Sequence, residues 1–363
     1  SRLHLDHPVL DVSECVQLQQ GAADSLTPAV LDATFDADDS LSDGLRRLCT
    51  AAHEAIDDAA SLLLLSDRRT LGPEADRRLP IPMLLAVGAV HHALVRDGRR
   101  TRASLVADSG EPREVHHLAA LLGYGADAVC PYGGLATIRR LAETKHLAAT
   151  PAEAKARYVS ALCNGVLKVM SKMGISTLQG YSGAQIFEIV GLADAVVDTH
   201  FCGTVSRLGG VGLDVLEERV RSQHRRAVDA VRRRDGAAPD AGLDADLDVG
   251  GRYQWREDGE QHALTPSSIA SLQHATRSDE PREQKYREYA QEINAYNRDS
   301  GTLRGLLRLL DANGQALPLE EVEPWTDIVT RFKTGAMSYG SISSETHQTL
   351  ARAMNELGGK SNT

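Results

Sequence analysis

Three polar residues stand just past an apolar run: in LLLLSDRRTLG (62–72), Ser66, Asp67 and Arg68 follow four consecutive leucines. A short, wholly apolar run of this kind reads as a strand buried on both faces of a parallel sheet. The loops beyond the C-terminal ends of parallel strands converge where such sheets place ligands. A hydroxyl, a carboxylate and a guanidinium gathered there could orient a small polar molecule. The same trio also serves as a serine cap and an Asp–Arg pair that order a turn.

Two glycine-containing stretches offer a different chemistry. LQGYSGAQIFEIVG (178–191) reads as a strand end, a turn and a helix start, where free backbone N–H groups can hold an anion. Ser182 could equally be an N-cap in a tight turn. SRLGGVG (206–212) carries the same two readings, and neither has the GxGxxG or GxxxxGK[ST] spacing of nucleotide loops. The adjacent pairs His91–His92 and His116–His117 suggest a metal, but neighbours on a helix diverge by about 100° and cannot ligate one ion together. They are expected to pack or to face solvent.

The last candidate is RFKTGAMSYGS (331–341). As a strand it would deliver Ala336, Met337, Ser338 and Gly340 at its C-terminal mouth. Small residues there let a planar ring approach the backbone, whose amides and a hydroxyl reach the ring's polar edge. Ser343 or Ser344 then caps a helix with Glu345 in its first turn and Leu350, Met354 and Leu357 facing inward. An ordinary strand–helix turn would look the same.

The elements that must position these residues alternate from about residue 28 to 234. TPAVLDATF, SLLLLS, ASLVADS, DAVCPYG, ISTLQGY and ADAVVDTHFCG read as strands. Helices are expected between and after them: LSDGLRRLCTAAHEAIDDAA, PIPMLLAVGAVHHALVRDG, EPREVHHLAALLGYGA, GLATIRRLAETK, PAEAKARYVSALCNGVLKVMSKMG, SGAQIFEIVG and GVGLDVLEERVRSQHRRAVDAVRR. In the first of these, Leu41, Leu45, Leu48, Ala52, Ile56 and Ala59 share one face. Such alternation requires an α/β fold with a mostly parallel sheet and flanking helices. Periodicity alone leaves open a doubly wound sheet or much of a barrel. Residues 235–262 turn Asp- and Gly-rich and read as a linker, TPSSIASLQHATRS and PREQKYREYAQEINAYNRDS as two further helices.

Composition narrows the partners. A formal net charge of −10 over 363 residues argues against nucleic acid or an anionic membrane surface. The arginine-rich RSQHRRAVDAVRRR (221–234) reads as the solvated face of a helix. Five scattered cysteines without a CxxC suit a reduced, cytoplasmic protein better than a disulfide framework or a metal site. No apolar run approaches the ~20 residues of a membrane span. The chain opens on Ser1 and stops soon after a promising loop, so both ends are expected to be cut from something longer.

Taken together, LLLLSDR, LLGYGADAVCPYG, NGVLKVMSKMGISTLQGYSGAQIFEIVGL, TVSRLGG and TGAMSYGSISSETHQTLARAMNELGGKSNT resemble the large subunit of the glutamate synthases, from HPVLD at residue 7 to the end. The resemblance implies a central connecting α/β domain at 1–262, a helical lead-in at 263–323, and at 324–363 the first strand and helix of an FMN-binding (β/α)8 barrel. It implies glutamate made from 2-oxoglutarate and glutamine-derived ammonia with reduced FMN, and a 3Fe–4S cluster elsewhere in the subunit. Ala336, Met337, Ser338, Gly340 and Ser341 would touch the flavin, with Ser361 and Asn362 nearby; Ser66, Asp67 and Arg68 would contribute to an ammonia path. The implied partners are the glutaminase, FMN-barrel and β-helix domains of the same subunit and a small NAD(P)H-oxidising flavoprotein. None of the five cysteines lies in a cluster-like motif, and the chain alone is expected to be inactive and free of cofactors. The competing expectation is a non-enzymatic α/β module that binds an anionic small molecule through GYSG or SRLGG.

Overall fold

The computed structural model describes residues 4–21, 26–71, 74–235, 250–277, 282–308, 310 and 317–362. It divides into two compact units, Ser1–Asp246 and Leu247–Thr363.

The first unit is organised by four parallel strands: β1 (Pro28–Asp32), β3 (Leu62–Ser66), β5 (Ser104–Ser109) and β6 (Ala128–Pro131), hydrogen-bonded in that order. Two short antiparallel strands, β2 (Thr34–Asp36) and β4 (Arg78–Pro80), pair beside it. Strand order follows chain order without reversal, so there is no switch point between strands at which a ligand crevice would open. Residues 8–10 extend the sheet past β6: Leu10 N donates to Val129 O and Val129 N to Pro8 O, both at 2.8 Å.

Alternation of side chains divides the core. Leu63, Leu65, Leu105, Ala107 and Val129 face the helices α2 (Leu41–Asp57), α3 (Met83–Arg96) and α4 (Val115–Gly123). Leu62, Leu64, Val106, Ala128 and Cys130 face the other way and meet Leu10 and Cys15. Cys15 is the only buried residue of the eight-residue helix α1 (Val12–Gln19). One face of the sheet is thickly covered, the other thinly.

Local chemistry explains the helix limits. Ser40 caps α2 by accepting from Asp43 N, and the expected stripe is buried from Leu41 to Ile56; Ala59 falls past the helix end, exposed and at φ +66°. After α5 (Tyr132–Glu143), helix α6 (Pro151–Met173) starts on a capping box between Thr150 and Glu153, with proline in its first turn, and stops at Gly174. α6 packs its Leu162, Val166 and Met170 into the same core.

The stretch 174–211 departs from expectation. ISTLQGY forms the short helix α7 (Leu178–Tyr181), SGAQIFEIVG yields the strand β7 (Glu188–Leu192), and ADAVVDTHFCG forms the helix α8 (Asp194–His200). Val196 and Val197 are buried as expected, but on a helix rather than a strand. SRLGGV of SRLGGVG lies within β8 (Val205–Val211), which pairs in parallel with β7. Helix α9 (Leu213–Asp235) ends the described part of this unit; the expected linker is described only from Gly250.

In the second unit α10 (Pro266–Arg277) and α11 (Arg282–Tyr296) are joined by a 2.6 Å hydrogen bond from Thr265 Oγ1 to Glu292 Oε1. The expected terminal strand is nearly absent. Trp325–Val329 forms the short helix α12; Lys333 pairs, in parallel, with Lys360 across the helix α13 (Ser344–Glu356), and Tyr339 bridges to the nearby Ile342. A strand needs a partner for its N–H and C=O groups, and within this unit residues around Lys360 supply one. The result is a minimal βαβ unit, one pairing longer than the strand and helix expected. No helix among the described residues is long and apolar enough to cross a membrane.

Candidate functional site

Register builds the first site. Ser66 on β3 stands opposite Asp108 on β5, and Asp108 opposite Cys130 on β6. These three therefore form a row on the thinly covered face, one step beyond Leu64, Val106 and Ala128. The row is polar where the strand core is apolar, and burial of a carboxylate demands partners.

Arg68 supplies them. From the turn after β3 its Nε donates to Asp108 Oδ2 at 2.6 Å and its Nη2 to Oδ1 at 2.8 Å, a bidentate fork. Ser66 Oγ adds a third bond to Oδ2 at 2.9 Å. The guanidinium carbon sits 4.3 Å from the Tyr132 ring centroid, so cation–π attraction holds its upper side. Hydrogen bonding to Asp108 pushes the Arg68 guanidinium further into its charged form, against the effect of burial.

Asp67 is the second node. Burial pushes its carboxyl above the usual range, opposed by hydrogen bonds from Ser109, Tyr132 and Gly110. Ser109 Oγ and Tyr132 Oη each donate to it at 2.5 Å, and Gly110 N at 3.3 Å. Burial and the facing Asp67 push the Tyr132 phenol up. Gly133 permits this geometry, because a Cβ there would lie 2.4 Å from the Gly110 carbonyl oxygen. Ser66, Asp67 and Arg68 thus come together as the sequence suggested. Asp108, Ser109, Cys130 and Tyr132 complete the cluster and were missed. The signal was present: ASLVADS and DAVCPYG end on the same sheet edge as LLLLSD.

An open cleft of about 350 Å³ lies beside the cluster, lined by Gln19, Val30, Asp32, Ser66, Arg68 and Arg69. Arg69 is itself bound to Asp32 at 2.8 Å and to Glu74. The polar groups of the strand ends are spent on one another. Among the described residues at these strand ends no hydroxyl or thiol is paired with an uncommitted base, which is the minimum for a nucleophile. This is chemistry that fixes loops and presents a wall.

Metal ligation fails on the same geometry. Cys15, Asp108 and Cys130 hold their ligand atoms within 4.8 Å of one another. Arg68, however, occupies both oxygens of Asp108 and places Nη2 3.9 Å from Cys130 Sγ, where a metal cation would be repelled. That group holds only two of the cysteines, and Cys49, Cys163 and Cys202 sit on separate elements, an arrangement that does not fit the thiolates of a 3Fe–4S cluster. The histidine pairs pack as expected. The His91 and His92 rings meet edge to face at 5.0 Å, and His91 Nδ1 accepts from Arg100 Nε at 3.0 Å.

The anion readings do not survive the fold. Ser182 ends α7 instead of starting a helix, and SRLGG is paired strand.

In the second unit the loop after Lys333 and the residues after Lys360 emerge at one end of the βαβ unit. Asn362 N donates to Thr334 Oγ1 at 2.9 Å, which brings Ser361 and Asn362 beside the start of the Ala336–Ser341 loop. Ala336, Ser338, Gly340 and Ser341 are exposed and Met337 is half-buried. The loop turns tightly, Ser341 N and Oγ both donating to Ser338 O at 3.0 and 2.6 Å. Gly340 sits at φ +101°, and neither it nor Gly335 has a heavy atom within 4 Å of where a Cβ would be. An open, small-residue loop at the strand mouth fits the edge of a planar ring.

The fold and its sites define an α/β protein with a one-way parallel sheet, its strand ends closed by buried ion pairing, followed by the start of a second βαβ layer. The family model for the glutamate synthase central domain matches residues 1–193, and that for a conserved region in glutamate synthase matches residues 262–363. The chain belongs to the glutamate synthase family. It is 43% identical, over 99% of its length, to the glutamate synthase [NADPH] large chain of Bacillus subtilis, of which it covers 22%. It is 41% identical to the glutamate synthase [NADH] of Schizosaccharomyces pombe, over all of this chain and 17% of that one. With the chloroplastic ferredoxin-dependent glutamate synthase of Oryza sativa it shares 40% identity over 99% of this chain and 22% of the relative. The chain spans about a fifth of the length of these relatives.

Proposed function

We propose that this chain is the connecting part of a glutamine-dependent, cytoplasmic glutamate synthase and carries the first loop of its flavin site. Glutaminase, FMN-barrel and β-helix domains of the same subunit would surround it, with a 3Fe–4S cluster held by residues other than its own cysteines and a small NAD(P)H-oxidising flavoprotein as a further partner. The observation that carries this reading is the closed strand-end network. A connector beside an ammonia path needs a fixed wall with few groups able to take up a proton, and Ser66, Asp67 and Arg68 form such a wall at the cleft. Ala336, Met337, Ser338, Gly340 and Ser341 would border FMN, with Ser361 and Asn362 beside them. Bound FMN would supply the electrons that convert 2-oxoglutarate and ammonia to glutamate; this chain's residues hold the ring's edge and exclude water.

Ser338→Leu in the intact protein tests the flavin assignment. Bulk in the loop is expected to lower FMN content, or glutamate formation by roughly tenfold to a hundredfold, while glutamine hydrolysis persists. Unchanged flavin content and unchanged synthesis would refute it. Ser66→Leu tests the wall: glutamine-dependent synthesis should fall several-fold more than ammonia-dependent synthesis, with ammonia released to solution. An equal fall in both would place the path elsewhere.

A further inference from the structure

Cys15 and Cys130 are buried nucleophiles whose thiol chemistry neither proposed site uses. Both are fully buried, and their sulfurs lie within 4.8 Å of each other in the apolar cluster under the thin face of the sheet. The remaining cysteines sit on separate elements: Cys49 in α2, Cys163 in α6 and the exposed Cys202 after α8. Cys130 Sγ donates to the Asp11 carbonyl at 3.8 Å, and Gln19 Nε2 donates to Cys15 Sγ at 3.9 Å. The two thiols therefore face each other across the joint between α1 and β6. We propose that Cys15 and Cys130 form a dithiol that hydrogen peroxide converts to a disulfide, tying α1 to the sheet above the Arg68–Asp108 pair.

The chemistry balances with peroxide as the only added reactant. The Cys130 thiolate attacks one peroxide oxygen; an S–O bond forms, the O–O bond breaks, and hydroxide leaves with the thiol's proton as water. The Cys15 thiolate then attacks the sulfenic sulfur, the S–S bond forms, and a second water departs. Two thiols are oxidised and one peroxide is reduced. Access runs through α1, which has a single buried residue and so undocks at small cost. Contact with Cys15 and burial keep the Cys130 thiol protonated in the docked state, so the pair is inert until α1 lifts. Arg68 Nη2, 3.9 Å from the Cys130 sulfur, then favours the thiolate once water enters.

The test exposes the intact protein to graded hydrogen peroxide, alkylates free thiols and maps peptides without reductant. The expected product joins the Cys15 and Cys130 peptides, two hydrogens lighter than the dithiol, and reverts with dithiothreitol. Amide exchange in α1 should slow in the oxidised protein. In Cys15→Ser the link is lost, and Cys130 should be captured as a sulfenic acid by dimedone. If Cys15 and Cys130 are still alkylated after prolonged exposure that oxidises Cys202 completely, or if either links elsewhere or passes to a sulfinic acid without joining the other, the proposal is overturned.

Discussion

Arg68→Met is expected to destabilise the sheet of the first unit by about 3 kcal/mol or more, the range for removing one partner of a buried ion pair. The reason lies in what remains. Asp108 is fully buried and would keep only the Ser66 hydroxyl out of the three bonds it now accepts. The Tyr132 ring would also lose the guanidinium stacked at 4.3 Å. Arg68→Lys should cost less but still about 1–2 kcal/mol, because an ammonium replaces neither the fork nor the stacking. The double variant Arg68→Met/Asp108→Leu should recover much of the loss, since an apolar pair of similar volume leaves no orphaned charge. Amide exchange at Val106 and Ala107 in β5 reads this locally, even within a large protein. A single Arg68→Met variant within about 0.5 kcal/mol of the parent would show that the pair is not needed to hold the strand ends.

Acid should loosen the packing of α3 and of α8. His91 on α3 is pushed down to about 4 from its ordinary 6.5 by burial and by Arg100. His200, at the end of α8, is pushed down to about 4 by burial and by Arg96, and its buried Nδ1 has no protein partner. For both groups the folded value lies below the unfolded one. The unfolded chain therefore takes up protons first, and stability is fully present above about 6.5 and declines as pH falls through about 4. The slope is at most about 1.4 kcal/mol per pH unit for each ring, and less because both are partly solvated. Asp67 acts in the opposite sense, since its raised carboxyl favours the folded state as it protonates. The expected result is a melting temperature that falls through this window in the parent and far less in His91→Gln/His200→Gln. Parallel curves for the two proteins would refute the assignment.

How much of this was legible depended on length and on partners. The leucine run of β3 and the long helical patterns of α2 and α6 carry enough periods to fix their type, and the structure has a strand and two helices there. The segment 174–211 was inverted because its elements are short: two adjacent valines flanked by polar residues suit one helical turn as well as one strand. β4, three residues long and partly polar, gave no signal. Neither did the break between β1 and β2, which Asp32 makes by accepting from both Thr34 N and Thr34 Oγ1. At the site, Ser66, Asp67 and Arg68 were visible because they interrupt an apolar run. Asp108 and Tyr132 belong with them only through sheet register, which no single segment contains.

The one-way strand order also governs the sequence of events as the chain is made. Linked residues at the strand starts, Thr27 with Ser61 and Leu105 with Asp127, are 34 and 22 positions apart, and Ser66 and Asp108 at the strand ends are 42 apart. β3, β5 and β6 thus each leave the ribosome with a neighbour already present, and the four-stranded sheet can grow by addition at one edge. The amino-terminal segment is the exception, because the Asp11 carbonyl and Cys130 are 119 positions apart. Residues 8–19 are synthesised before β6 and can dock only when it exists. Until then the thin face of the growing sheet, with Leu62, Leu64 and Val106, has no cover from α1. Through that interval apolar strand surface stands open to solvent, the condition that favours aggregation and chaperone binding.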